Sequence, residues 1–181
     1  MQIDQENGSV RFPNGQFIGP AITQDSFRAT PEFSESRGED CGTLPWIHYH
    51  FGGGQLDGKD LAIAVCFYGQ ILVSLRITVN FYTSENWSWS DYSLEVEAQT
   101  KHFHDRLLHN LLGKPTKGGS FILGRLPEGQ ETLTTPLDWQ FDWGRVSSSH
   151  DSKGGGTFIS IGYGNRHKEA SVAYQRSQQS H

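Results

Sequence analysis

ILVSLRITVNFY, residues 71–82, decides the fold. Ile71, Val73, Leu75, Ile77, Val79 and Phe81 fall on one face, and Leu72, Ser74, Arg76, Thr78, Asn80 and Tyr82 on the other. Alternation with a period of two over this length is the mark of a strand with one buried side. The preceding stretch, Leu61 to Tyr68, carries Leu61, Ile63, Val65 and Phe67 on one face and Ala62, Ala64, Cys66 and Tyr68 on the other. The turn between the two strands fixes their register. A three-residue loop, Phe67-Tyr68-Gly69, with Gly69 in a bulge, keeps the two large-apolar faces together; a two-residue Gly69-Gln70 loop mixes them. Consistent burial favours the first. Upstream, Trp46 to Phe51 reads as a third strand, with Ile47, Tyr49 and Phe51 opposite Trp46, His48 and His50.

Downstream, a long helix is predicted from Asp91 to Leu112. Ser90 or Asp91 caps it, Glu95 and Glu97 favour its positive end, and Gly113 and Pro115 end it. Val96, Phe103, Leu107 and Leu111, joined by Leu94, Leu108 and Leu112, recur at helical spacing and predict the buried stripe. Phe121 to Leu126 reads as a short strand. Asp138 to Ser148 and Thr157 to Tyr163 read as a hairpin around residues 151–156, with Trp139, Phe141 and Trp143 on one face. Before the sheet come a short strand pair within residues 1–20, a helix capped by Thr23 and a polar loop at 34–44. The predicted fold is α+β: two layers, an antiparallel sheet of about six strands with one long helix on one face. Residues 1–164 are expected to form a single domain, and residues 165–181, which lack an apolar period, a mobile polar tail.

The chain has 181 residues, a formal charge of −5 and no cluster of Lys and Arg, which argues against a nucleic-acid partner. Eleven Phe, six Tyr and five Trp supply a core of few, large pieces. Two cysteines, Cys41 and Cys66, make neither a disulfide framework nor a metal knuckle. No run reaches the roughly 18 apolar residues of a membrane span, and the N-terminus lacks the features of a leader, so the chain reads as cytoplasmic with no membrane partner.

Motifs that could carry chemistry fail on geometry. His48 and His50 share a strand face and could touch one metal, but no third ligand stands at a fixed spacing. His102 and His104 diverge by about 200° around a helix, so they read as polar-side residues. Gly113-Lys114-Pro115-Thr116 follows a helix instead of preceding one, so its amides cannot cradle phosphate. Gly52-Gly53-Gly54 lies between strands and fails the same test. Cys41 sits beside Glu39 and Asp40, which disfavour a thiolate. Ser149, His150 and Asp151 are adjacent, and a catalytic triad is assembled from separated segments. No catalytic residue, metal or cofactor is therefore expected.

A surface remains. If the helix covers the large-apolar face, the other face collects Trp46, His48, His50, Arg76, Asn80 and Tyr82, with Trp87 and Trp89 in the following loop. Trp, Tyr and Arg are the residue types enriched at interface hot spots. The succession Leu107-Leu108, Leu111 to Pro115, Phe141 to Val146, Asp151-Ser152-Lys153 and Ile159 to Tyr163 resembles small bacterial proteins of unassigned function. Some of these are similar to immunity proteins encoded beside contact-dependent or type VI secreted toxins. The resemblance implies a bacterial, cytosolic, non-catalytic α+β domain; with the aromatic outer positions and the lack of a catalytic motif, the expected function is that of an immunity protein that binds a protein partner and occludes a toxin's active site. The acidic net charge adds the expectation of a basic toxin domain. The alternatives are a metal- or small-ligand-dependent enzyme using His48 and His50, and a scaffold or assembly subunit.

Overall fold

A computed structural model of the chain describes residues 1–35, 45–82, 89–118, 133, 135–164 and 166–179. The predicted strand at Phe121 to Leu126 lies outside these residues, as does Cys41. The main sheet has six strands: β4 (Trp46–Leu56), β5 (Lys59–Tyr68), β6 (Ile71–Val79), β7 (Leu137–Phe141), β8 (Gly144–Asp151) and β9 (Gly156–Gly162). Their spatial order is β4-β5-β6-β9-β8-β7, antiparallel throughout. Two three-stranded meanders thus meet at β6 and β9. A second, three-stranded sheet is built from β1 (Gln2–Ile3), β2 (Val10–Arg11) and β3 (Phe17–Ile18). The α+β class, the six strands and the helix on the sheet all stand as the sequence implied.

One row of side chains crosses the whole inner face: Tyr49, Val65, Leu75, Ile161, Val146 and Trp139. All six are buried. Over β4 this face is closed by α1 (Gln24–Arg28) and α2 (Pro31–Glu35). Phe27 of α1 is inserted between the rings of Tyr49, Phe51 and Phe67, with centroids 5.3, 5.7 and 5.7 Å away. Aromatic pairs of this kind add about 0.5–1.5 kcal/mol each beyond the area they bury. Over β8 and β9 the same face is closed by α3 (Leu94–Leu112). Ser93, not Ser90 or Asp91, is its N-cap: the Ser93 hydroxyl accepts from the Val96 amide.

The register of β5 and β6 corrects the sequence reading. Tyr68 pairs with Ile71, so the turn is the two-residue Gly69-Gln70. The faces still coincide because the pairing shifts inside the strands: Cys66 faces Ser74 and Phe67 faces Leu72, with Val73 extra. One extra residue flips every side chain beyond it. Leu72 is therefore buried beside Phe67, while Leu75, Ile77 and Val79 meet Val65, Ile63 and Leu61.

Two further corrections come from turns. Gly52–Gly54 lie within β4, where the pairing with β5 shifts between Gly52 and Gln55; the turn itself is Asp57-Gly58, with φ of 51° and 73°. That pair of positive angles is what a tight hairpin turn requires. The predicted Asp138 to Ser148 strand is broken at Asp142-Trp143, since Phe141 pairs with Gly144. Gly144 takes φ 154°, and a Cβ there would lie 2.0 Å from the Gly162 carbonyl oxygen. Trp143, released from the strand, stacks on Phe141 at 5.0 Å and donates its indole N–H to the Gln5 carbonyl.

The C-terminal segment is helical. Where a featureless polar tail was expected, α4 covers Arg166–Gln179 and touches β6 and β5. Both are interior strands, so a helix touching both must lie on a face. Ala170, buried among its described side chains, stands apart from the inner core cluster, and the inner face is already closed by α1, α2 and α3, which assigns α4 to the outer face. Arg166 donates to the Pro20 carbonyl and fixes the start of the helix. Among the described residues no helix is long and apolar enough to cross a membrane.

Candidate functional site

The outer face is built by the same alternation that buries the inner one. Trp46, His48 and His50 project from β4, Ala62, Ala64, Cys66 and Tyr68 from β5, and Ser74 and Arg76 from β6. Ser160 and Phe158 continue the face on β9, and Arg145 and Ser147 on β8. At the end nearest α4 the residues are half-buried: Trp46 meets Tyr68 edge-on at 4.8 Å, and Cys66 lies between His48 and Ser74. At the other end His50, Ala62 and Arg76 are exposed. The floor there is shallow because Ala62, Ala64 and Ser160 are small.

Four of the predicted residues, Trp46, His48, His50 and Arg76, are thus brought onto one surface. The others are not. β6 ends at Val79; the Asn80 amide donates to the Asp60 carbonyl, and the Asn80 side chain accepts from the Tyr82 amide. This turn sends Tyr82 to the other side of the sheet, where its hydroxyl donates to Glu97 on α3 at 2.9 Å. Burial, with the Glu97 carboxylate beside it, pushes the Tyr82 phenol up to about 12, so it remains a donor. Trp89 opens a 3-10 turn, Trp89–Asp91, and Trp87 lies outside the described residues.

His48 Nε2 lies 3.3 Å from Cys66 Sγ. The pair superficially resembles a nucleophile and its base. Burial pushes the Cys66 thiol up and the His48 imidazole down, with His50 and Arg76 lowering the imidazole further. Both shifts favour the neutral thiol–imidazole pair over the reactive thiolate–imidazolium. Among the described residues no group of three or more His, Cys, Asp or Glu could hold one metal ion.

The charges of the face are the second finding. Arg76 lies over the Phe158 ring at 5.2 Å and has no carboxylate within salt-bridge distance among the described residues. The carboxylates of this face sit at its rim, each with a partner. Asp60 accepts from Gln55, Asp138 lies 3.7 Å from Arg145, and Asp151 accepts from the amides of Lys153 and Gly154. Arg76, whose charge adds to the Gly154 and Lys153 amides in holding the Asp151 carboxyl below its ordinary value, is therefore the cation nearest the centre of this face although the chain is acidic overall.

A polar cluster that sequence reasoning missed lies beneath α3. The buried stripe of that helix is Glu97, Thr100, Lys101, His104 and Asp105, then Leu108 and Leu112, with Phe103 beside it. Leu94, expected in the stripe, is exposed. Lys101, fully buried, donates to both Asp105 oxygens at 2.6 and 2.7 Å. Burial pushes Lys101 down and Asp105 up, each toward neutrality, and their ion pair opposes both shifts. His104 Nε2 accepts from the Val79 amide at 3.1 Å, so its proton sits on Nδ1. Burial and the neighbouring Lys101 lower His104 to about 3, and it stays neutral. Glu97 Oε2 stands 3.7 Å from His150 Nδ1, which also contacts the Thr157 hydroxyl at 3.1 Å. The cluster is sealed between helix and sheet, which suits a buried polar tie better than a site for substrate.

No protein-family model matches the sequence. No curated protein matches it either. Among solved structures, the fold is similar to a chain of the complex of Rhs1-CT with its cognate immunity protein RhsI1. The TM-score is 0.53 at 12% identity, and the match covers 98% of this chain and 98% of the other. At that identity the likeness shows a shared fold over the whole length of both chains.

Proposed function

We propose that this chain is a non-enzymatic binding protein, an immunity protein that neutralises a cognate bacterial toxin by covering its active site. The observation that carries the reading is the open outer sheet face, with Trp46, His48, His50 and Arg76 on one exposed to half-buried surface. The end-to-end likeness to a chain of a toxin–immunity complex supports the same reading. Neutralisation takes place in the cytoplasm of the cell that makes the chain, against a toxin delivered by contact or by a type VI apparatus. Aromatic anchors supply the burial and charged groups the orientation. The test is co-expression with the toxin domain encoded in the adjacent reading frame. Growth should be restored and the two chains should elute together at one-to-one stoichiometry. Continued killing, with separate elution of the two proteins at tens of micromolar, refutes it.

A competing reading, an enzyme that uses His48 and His50 with a metal or small ligand, rests on the 3.3 Å approach of His48 and Cys66. It requires near-stoichiometric metal, or a tightly held small molecule, on the purified chain and its loss in His48→Ala. A metal- and ligand-free chain that still neutralises the toxin excludes it.

A further inference from the structure

The net charge of −5 alone favours a basic partner. The distribution of charge on the outer face argues the opposite. Arg76 stands at the exposed end of that face, held from one side by the Phe158 ring. Among the described residues the guanidinium makes no hydrogen bond, and its planar fork of N–H donors can match a carboxylate with two parallel hydrogen bonds. His50 lies in the same cross-strand row, separated from Arg76 only by Ala64. That spacing is about 10 Å at the usual strand separation. His48 is the next outward residue on the same strand. The small side chains of Ala62, Ala64 and Ser160 leave room for a group to descend between Arg76 and the two imidazoles.

Taking the chain as the immunity protein proposed above, we infer that its partner docks through an acidic segment, one carboxylate of which binds Arg76. The carboxylate enters above Ala64 and Ser160 and is flanked by His50. An incoming basic segment would instead meet Arg76 with no carboxylate in salt-bridge contact with it among the described residues, only the more distant rim carboxylate of Asp151, and like charges facing one another disfavour docking. Nucleic acid is the less favoured occupant. Among the described strand residues of this face only Arg76 and Arg145 are full cations, and Arg145 is already beside Asp138.

The experiment is a titration of the purified chain with the toxin domain of the adjacent reading frame, in its catalytically inactive form, at 50 and 300 mM salt. Arg76→Ala should weaken binding at least about tenfold and Arg76→Glu at least about a hundredfold. Arg76→Lys, a point charge without the fork, should fall between wild type and Arg76→Ala. Arg11→Glu reverses a charge on the separate N-terminal sheet and should change affinity less than about threefold. Arg76 is exposed, so its variants should keep the melting temperature of the parent chain, and this is checked first. If the wild-type chain forms no complex, the function proposed above fails. If it forms one and the Arg76 variants bind like wild type, or Arg76→Glu binds more tightly, the docking inference fails and the function stands. A labelled RNA oligomer retained by the wild-type chain and released by Arg76→Ala would give the surface to nucleic acid and also overturn the inference.

Discussion

Lys101 is a lysine that water does not reach. Among the described residues its ammonium is held by Asp105 one helical turn later, with both carboxylate oxygens within 2.7 Å. Removing one member of such a pair strands the other in a low-dielectric site and costs about 3–5 kcal/mol, whereas replacing both by apolar groups is often neutral. Lys101→Met should therefore lower the urea midpoint sharply, and Lys101→Met with Asp105→Leu should recover most of the loss. A single variant within about 1 kcal/mol of wild type would mean that water reaches the pair. His104 carries a pH dependence of definite sign. Its folded value is lowered from 6.5 to about 3, so below pH 6.5 the unfolded chain takes up a proton that the folded chain refuses. The contribution is fully present above pH 6.5 and is lost as pH falls toward 3, at about 1.4 kcal/mol per pH unit. Asp105, pushed up by burial, acts the other way in the acid range, so the His104 effect is the difference between wild type and His104→Gln. Gln keeps an acceptor for the Val79 amide and does not titrate. Its urea stability should fall less steeply between pH 6.5 and 4; parallel curves would show that His104 is protonated in the folded chain.

At the scale of elements, two glycines in the last meander separate a steric requirement from open space. A Cβ on Gly144 would strike the Gly162 carbonyl at 2.0 Å, and its φ of 154° strains any other residue. A Cβ on Gly162 would meet nothing within 4 Å. Gly144→Ala should therefore unfold the β7–β8 hairpin or lower the melting temperature by many degrees. Gly162→Ala should leave it unchanged or raise it slightly, because alanine costs less chain entropy on folding. Equal effects of the two would refute the close approach. The same elements show what could be read beforehand. The strands β4, β5, β6 and β9 were legible because each alternates, whereas β7 and β8 were read as one because their aromatic alternation runs through Asp142-Trp143; His48, His50 and Arg76 were legible as one surface because period two fixes a face. Tyr82 was misplaced because the alternation runs on past Val79, while the strand is stopped by Asn80 closing a turn on its own side chain. The polar stripe of α3 was hidden for a different reason. Val79, His150 and Thr157, which give Glu97 and His104 their surroundings, come from β6, β8 and β9, and no local periodicity encodes that meeting. The five leucines of α3, with Val96 and Phe103, drew the stripe about one residue off the face that carries Lys101 and His104. α4 gave no apolar period because the helix is held through small contacts such as Ala170 and through Arg166 at its start; tertiary packing sustains many helices that intrinsic preference would not.

For the molecule as a whole, α4 decides how much of the outer face a partner can reach. It touches the interior strands β5 and β6, and the face is half-buried at Cys66 and Ser74 yet open at Arg76 and His50. The inner core does not include it: the aromatic cluster around Phe27, the row from Tyr49 to Trp139 and the α3 contacts all lie on the opposite side of the sheet. Ending the chain at Gly164 should therefore leave a folded protein that unfolds in one transition, with the melting temperature lowered by several degrees. Cys66 reports the change directly. In the full chain its thiol is partly covered and held protonated by burial, so alkylation is slow. With Cys41 replaced by serine, Cys66 is the single thiol, and its rate of reaction with a maleimide should rise at least about tenfold in the truncated chain. The titration of inactive toxin then reads the role of the helix. If α4 forms one wall of the docking surface, the truncated chain binds more weakly while Arg76→Ala still lowers what affinity remains. If α4 only shields the face, truncation leaves binding unchanged or strengthens it. An unchanged rate of Cys66 alkylation in a chain that remains folded would place α4 away from the outer face and remove this account of the surface.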